Sequence, residues 1–318
     1  MNKWKRYTLR GLGLIGIILV PLMIWISQAT STSHEVITST LGQKSDLLAL
    51  VSSFDSDGGV ANSSRVVLKT IKSANWVAPL SGLVNLNHPK AQEAALEDHN
   101  EKIQVYAYHL QHPKYGDFLV DTGVSKQFVE EPKSFGVPGW IEPELGIDKM
   151  DILTSTDDFT ASLNSPLKGV FLSHLHLDHI SGLPAIAKDV PLYIGKNESK
   201  EKYFLFAATR GIVDTLLNGR PALQEWTSQY VDVFNDGSVF AIHSPGHTAG
   251  STAYLVNTVE GPVLLVGDAS HTAWGWNNEV EPGEFSTDQK ESQRSLNILI
   301  ELVKKHPSIK VKLGHQDL

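Results

Sequence analysis

Gly169-Val170-Phe171-Leu172-Ser173-His174-Leu175-His176-Leu177-Asp178-His179 is the stretch that decides how this chain folds. An apolar strand candidate, residues 169–172, runs directly into three imidazoles and a carboxylate. These side chains cannot all share one face of a regular helix or strand, whose side-chain periods are about 3.6 and 2.0 residues. They converge only if the chain leaves the strand and turns at once, and Ile180-Ser181-Gly182 with Pro184 permits that turn. His174 and His176 point the same way in extended chain. Asp178 and His179, beyond the bend, are free to face a second ion. Imidazole and carboxylate suit zinc where no thiolate is available, and the chain has no cysteine. A histidine-rich surface loop is the plainer alternative; the density and strict spacing weigh against it.

Four more strand ends carry chemistry. Phe118-Leu119-Val120-Asp121-Thr122-Gly123 closes a strand with an acid and a glycine. Ser244-Pro245-Gly246-His247-Thr248-Ala249-Gly250-Ser251 sets a histidine in a Gly/Pro loop after a strand. Val266-Gly267-Asp268-Ala269 and Leu313-Gly314-His315 place a carboxylate and a histidine after two more. Singly, each is ordinary: a lone histidine is usually structural and an aspartate at a strand end is usually a turn residue. Their joint order after separate apolar strands is specific, because sites in α/β sheets collect at the carboxyl ends of strands.

Further strand candidates are residues 66–71, 103–109, 192–194, 239–242, 253–256, 263–266 and 311–313, each ended by turn or polar residues. Residues 89–99 and 198–217 have helical composition. Ser286-Thr287-Asp288-Gln289 has Ser and Gln at capping-box spacing and opens a last helix that His306-Pro307 closes.

With His174-x-His176-x-Asp178-His179 followed in order by His247, Asp268 and His315, the chain resembles the metallo-β-lactamase superfamily from about Arg65 to its end. The resemblance implies an α/β fold, a four-layer αββα sandwich with a two-metal site at one edge of its sheets. It implies one metal, zinc first among divalent transition metals, on His174, His176 and His247. A second falls on Asp178, His179 and His315, with Asp268 bridging the two. Asp121 matches the superfamily's early Asp-Thr-Gly motif, which supports the site from behind without ligating.

Within the superfamily, true zinc β-lactamases lack the bridging carboxylate that Asp268 supplies. Glyoxalase-type thioesterases carry a helical domain after their last metal histidine, where this chain has Gln316, Asp317 and Leu318. The chain is most similar to the N-acyl homoserine lactonase group, with one departure: His271 stands where such lactonases commonly have a tyrosine that polarises the substrate carbonyl. The function implied is a dinuclear metal-dependent hydrolase attacking an ester or lactone carbonyl with a metal-bridging hydroxide. His271 would help hold the oxyanion, and Asp178 would pass a proton to the leaving alkoxide. A two-metal phosphodiesterase or a β-lactamase-like hydrolase is the alternative, although the motif neighbourhoods contain little Arg or Lys. A non-catalytic module would be marked by a lost ligand, and none is lost. Trp140 in the long insert 128–158, and Trp274 and Trp276 just after His271, are candidates for the substrate pocket. Inserts of that length in compact domains are often lids.

Composition narrows the class by exclusion. The chain has 318 residues, 41% hydrophobic and 19% charged, so a packed core is available and global disorder is excluded. Its formal charge of −8 argues against a nucleic-acid partner, which calls for a basic face. Lys3, Lys5, Arg6 and Arg10 precede an uncharged apolar run, residues 11–26, and Ser27-Gln28-Ala29 resembles a small-x-small cleavage site. Residues 1–29 therefore read as a signal peptide or transmembrane anchor. Residues 30–64, rich in Ser, Thr, Asp and Gly, read as a flexible tether, and 65–318 as the catalytic domain. The basic side stays in the cytoplasm and the domain lies outside the membrane. Oligomeric state is not encoded in any motif.

Overall fold

The computed structural model describes Met23 and residues 29–54, 64–203 and 206–318. Fourteen strands are found among them: β1 Val36–Thr38, β2 Gln43–Ser45, β3 Val67–Pro79, β4 Asn100–His112, β5 Gly116–Val120, β6 Asp151–Ile152, β7 Gly169–Phe171, β8 Leu192–Ile194, β9 Leu223–Glu225, β10 Tyr230–Asp232, β11 Val239–His243, β12 Thr252–Thr258, β13 Gly261–Leu265 and β14 Lys310–Lys312. Eight form one sheet in the order β1-β9-β8-β7-β5-β4-β3-β6, and six form a second in the order β14-β13-β12-β11-β10-β2. The helices used below are α1 Leu47–Ser52, α2 Leu177–Ile180, α3 Phe206–Leu217, α4 Ala273–Asn278 and α5 Gln289–Lys305.

Alternation along the strands builds the layers. Phe118 and Val120 of β5 face a core shared with Tyr254, Val256 and Leu265 of the second sheet. Leu119, between them, faces the opposite way into a core with Ile212, Val213 and Leu216 of α3. In the second sheet Phe240, Ile242 and Leu255 face outward onto Leu296, Leu299 and Ile300 of α5. Two sheets back to back with helices on both outer faces are the expected four layers; a side-chain period of two lets every strand serve two cores.

Two expectations are corrected. Residues 30–64 are not a free tether where they are described. Val36–Thr38 adds a parallel edge to β9, and Gln43–Ser45 adds an antiparallel edge to β10. Leu50 of α1 is fully buried against the α5 side of the second sheet. Thr30 bridges Lys202, and Ala29 and Ser31 are buried. The segment is held by backbone pairing at two sheet edges, which polar composition does not forbid. Second, α5 is capped by Asp288, whose carboxylate accepts from the Glu291 N–H, and not by Ser286. The helix ends at Lys305 before His306-Pro307, as read. The apolar run 11–26 lies, apart from Met23, outside the described residues. Among the described residues no helix is long and apolar enough to cross a membrane.

Candidate metal centre

Strand ends bring the chemistry together. β5 delivers Asp121, β7 delivers Ser173 through His179, β11 the His247 loop, β13 Asp268 and β14 His315. After β7 the chain passes through His174 to His176, whose backbone is extended and which precedes α2, the single turn that holds Asp178 and His179. That is the immediate bend the spacing requires.

The donor atoms fall into two groups that share Asp268. His174, His176, His247 and Asp268 form one, and Asp178, His179, Asp268 and His315 form the other, with the atoms of each group within 4.8 Å of one another. His247 Nε2 lies 3.2 Å from His174 Nε2 and 2.9 Å from His176 Nδ1. Asp268 Oδ2 lies 3.6, 3.4, 3.3 and 3.4 Å from the Nε2 atoms of His174, His247, His179 and His315. Asp178 Oδ2 lies 3.2 Å from His315 Nε2 and 3.5 Å from His179 Nε2.

The outer nitrogens of these rings are fixed by other groups. Asp121 Oδ2 accepts from His179 Nδ1 at 2.9 Å and from the Ser173 hydroxyl at 2.9 Å, while Oδ1 accepts from the Ser173 N–H at 2.7 Å. His315 Nδ1 donates to the Gln104 carbonyl at 2.8 Å. Such partners fix the tautomer and turn the inner nitrogen toward the centre. Asp121 thus sits where the sequence placed it, behind the cluster. Its backbone adopts φ 55°, a left-handed conformation uncommon for a non-glycine residue. Gly314 makes room for the central carboxylate, because a Cβ there would lie 2.3 Å from Asp268 Oδ1.

The electrostatics ask for cations. Burial, reinforced by neighbouring imidazoles, holds His174 and His247 well below the ordinary histidine range, and burial takes His176 down to about 4. These three rings are neutral and offer lone pairs. In the second group burial opposes charge, yet the carboxylates prevail. Asp268 heads the groups that raise His179 well above its usual value, and Asp268 and Asp178 raise His315 to about 10. Burial works to raise Asp178 and Asp268, and the charges of His179 and His315 hold both carboxyls below their usual range. His179 Nε2 and Asp268 Oδ1 are buried with no aligned hydrogen-bond partner, and unpaired buried polar atoms are costly. Neutral imidazoles facing one another, carboxylates drawing positive charge and two orphaned donor atoms are what a pair of N/O-ligated divalent ions satisfies.

A largely apolar cavity of about 330 Å³ opens onto this cluster. His176, Asp178, His247, Asp268, His271 and His315 form its polar side. Trp76, Leu83, Ile141, Leu145, Phe206 and Phe285 are among its apolar walls. The insert does shape the cavity, through Ile141, Glu144, Leu145, Gly146 and Lys149, and Trp76 Nε1 pins it by donating to the Gly146 carbonyl at 2.8 Å. The three tryptophans read as pocket candidates do not line it. Trp140 is 76% exposed, on the turn one residue before Ile141. Trp276 faces the core under α5, and Trp274 packs beside Leu83 and Val280. Neither ring is among the cavity's lining residues, although Trp274 packs against the cluster that contains Leu83 and Ile103 of its wall. Trp76 lies on β3 beyond the strand candidate 66–71 and was not read from the sequence, and Glu198, buried behind the histidine loops, carried no signal at all.

His271 does point into the site. Its Nε2 lies 3.1 Å from Asp268 Oδ2 and its Nδ1 lies 3.0 Å from the Leu83 carbonyl. A carbonyl only accepts, so Nδ1 carries the proton there. Donation from Nε2 then requires the doubly protonated ring, whereas the neutral ring accepts at Nε2.

A family description, "Metallo-beta-lactamase superfamily", matches residues 102–305. An N-acyl homoserine lactonase, AttM, from Azorhizobium caulinodans is 28% identical over 240 residues, covering 67% of this chain and 82% of the relative. The structure of an N-acyl homoserine lactone hydrolase with the product N-hexanoyl-L-homoserine bound at its catalytic metal centre superposes with a TM-score of 0.57 at 22% identity, over 79% of this chain and 93% of that one. A dizinc quorum-quenching lactonase, AidC, superposes with a TM-score of 0.53 at 15% identity, over 80% of this chain and 92% of that one. These two structural likenesses are likenesses of fold.

Proposed function

The chain belongs to the metallo-beta-lactamase superfamily, and from that premise we propose that it hydrolyses the ring ester of an acylated lactone, or a closely related ester, with the help of two divalent cations, zinc foremost. The observation that carries this reading is the juxtaposition of the two donor groups with an apolar cavity of about 330 Å³. Ligand pockets of this size range are apolar with a few convergent polar groups. An acyl chain suits walls such as Trp76, Leu83, Ile141 and Phe206, while a carbonyl suits the polar end. The lactonase relatives support the same substrate class.

His174, His176 and His247 would hold one cation and Asp178, His179 and His315 the other, with Asp268 between them. So held, the pair supplies an acidified water and a Lewis acid for the carbonyl oxygen. The chain's own residues supply the remainder. His271, anchored by Leu83, presents Nε2 to the cavity beside Asp268 and, in its doubly protonated form, helps hold charge that develops on the carbonyl oxygen. Asp178, which lines the cavity, would take up the proton lost by the attacking water and pass it to the departing alkoxide. The apolar walls exclude bulk water and fix the acyl chain, which places the ring ester against the polar end.

A hydrolysis screen of the metal-loaded chain tests this. N-acyl homoserine lactones should be turned over faster than aryl esters, and both far faster than phosphodiesters or a β-lactam. Lys149 is the single lysine or arginine among the described residues lining the cavity, a poor match to a phosphodiester. Preference for the phosphodiester would overturn the lactone reading while leaving the two-cation reading intact.

We also place the catalytic domain outside the cytoplasmic membrane. The basic residues before Gly11 and the acid-free apolar run support this orientation. Protease added to intact spheroplasts should digest the domain; its complete protection would contradict the orientation, and N-terminal sequencing decides whether the chain is cut after Ala29.

A further inference from the structure

We propose that Glu198 is a positioning residue that ties together the two loops carrying His174, His176 and His247, and so sets the affinity of that group for its cation. The inference rests on the two-cation reading above. Glu198 touches none of the proposed ligands and lies outside the cavity, yet its side chain is fully buried behind them. Its Oε1 accepts from the N–H of Leu175 at 2.8 Å, the residue between His174 and His176. Its Oε2 accepts from the Thr248 hydroxyl at 2.6 Å and the Gly250 N–H at 3.0 Å, both in the loop that presents His247. One carboxylate therefore spans two loops that are 73 residues apart in sequence at His174 and His247.

The packing around it leaves little slack. A Cβ on Gly250 would lie 2.4 Å from the Glu198 Cβ, so the His247 loop rests its backbone on this side chain. Glu198 is presented just after β8 by a turn in which Asn197 takes a left-handed φ of 66°. From behind, the Ser31 hydroxyl donates to the Glu198 carbonyl, and the Ser31 N–H donates to the Glu201 carbonyl at 3.1 Å. Burial pushes the Glu198 carboxyl up to about 7, against the pull of its three donors. A carboxylate in a dry site is costly unless its lone pairs are used, and here all three partners belong to the loops that bear the histidines. Metal donor atoms must be placed to within about 0.2 Å. A glutamine at this position keeps one acceptor oxygen and sets an NH₂ against the donors of one loop. That would leave the loops free to part by more than the metal tolerates.

The test is a cobalt(II) titration of the full chain after chelation, followed by absorbance and calorimetry. Wild type should take up two ions. Glu198→Gln should weaken one of the two steps by about tenfold to a hundredfold, the range for partners that orient a ligand, and leave the other unchanged. Thr248→Val, which deletes one hydroxyl from the same carboxylate, should weaken that same step by less and keeps the proposal testable if the glutamine variant does not fold. In a His247→Ala background, where the first group is already broken, Glu198→Gln should leave the remaining step unmoved. Lower melting temperatures with both cobalt steps intact, or equal weakening of both steps, would overturn the proposal and make Glu198 a purely structural residue. Failure of the wild-type chain to bind cobalt would overturn the two-cation reading, and this assignment with it.

Discussion

Asp268→Asn will reduce the chain from two bound divalent ions to fewer than one and lower turnover by more than about a thousandfold, beyond the loss typical of one missing oxyanion donor. Asp268 is the residue common to both donor groups. Its Oδ2 lies between 3.3 and 3.6 Å from imidazole nitrogens of His174, His179, His247 and His315. An amide keeps the shape and hydrogen-bonding size but removes the charge, so neither group retains its shared anion. Five buried histidines would then surround a neutral side chain, counting His271 at 3.1 Å. Removing one partner of a buried charge cluster is far costlier than never having built it. Asp121→Asn is the internal comparison. Asp121 belongs to neither donor group and reaches the second only through the outer Nδ1 of His179, besides holding Ser173, so its loss should stay within the tenfold to hundredfold range of an orienting partner. Elemental analysis and kinetics on the same preparations decide the matter. Two ions retained by Asp268→Asn, with turnover within tenfold of wild type, would remove Asp268 from the centre of the site.

The contrast between Asp268 and Glu198 shows which parts of a site a sequence reveals. Asp268, His247 and His315 each follow an apolar strand and sit beside a glycine that admits the turn, so strand, breaker and ligand are adjacent in the chain. Their meeting point is long-range, but each contribution is written locally. Glu198 has no such local mark. It lies among Glu201, Lys200 and Lys202 in a stretch of helical composition, and only the fold shows that it is buried while they line a turn. The same reasoning covers the edge strands. Val36–Thr38 and Gln43–Ser45 are three residues each, too short for an alternation to stand out, and their stability comes from β9 and β10, themselves three-residue strands. Trp140, Trp274 and Trp276 failed as pocket residues for a related reason. Proximity in sequence to His271 or to a lid fixes where a backbone goes, and the direction of a large ring depends on which core it finds.

His271→Ala will leave two ions bound and lower kcat and kcat/KM together, by roughly a hundredfold to a thousandfold, as for one lost oxyanion donor. The residue is 1% exposed and contacts Asp268 without belonging to either donor group. Its Nδ1 is spent on the Leu83 carbonyl, so only Nε2 faces the cavity. Anchored at Nδ1 and facing Asp268 Oδ2 at 3.1 Å through Nε2, the doubly protonated ring can donate to the carbonyl oxygen, which gains charge only as the ester is attacked. An equal fall in kcat and kcat/KM is the signature of an interaction made in the transition state alone. His271→Tyr should recover part of the loss, since a phenol donates from a similar reach without needing a second proton. Both variants free the Leu83 carbonyl, so each should lower the melting temperature. Two other patterns are excluded by this assignment. Loss of one ion in His271→Ala would make the ring a ligand through the lone pair that its neutral form offers at Nε2. Unchanged kinetics with a lower melting temperature would make it a strut between Leu83 and Asp268. Metal content, melting temperature and steady-state kinetics on the same samples separate the three, because only a group acting on the reacting carbonyl changes turnover while leaving both ions in place.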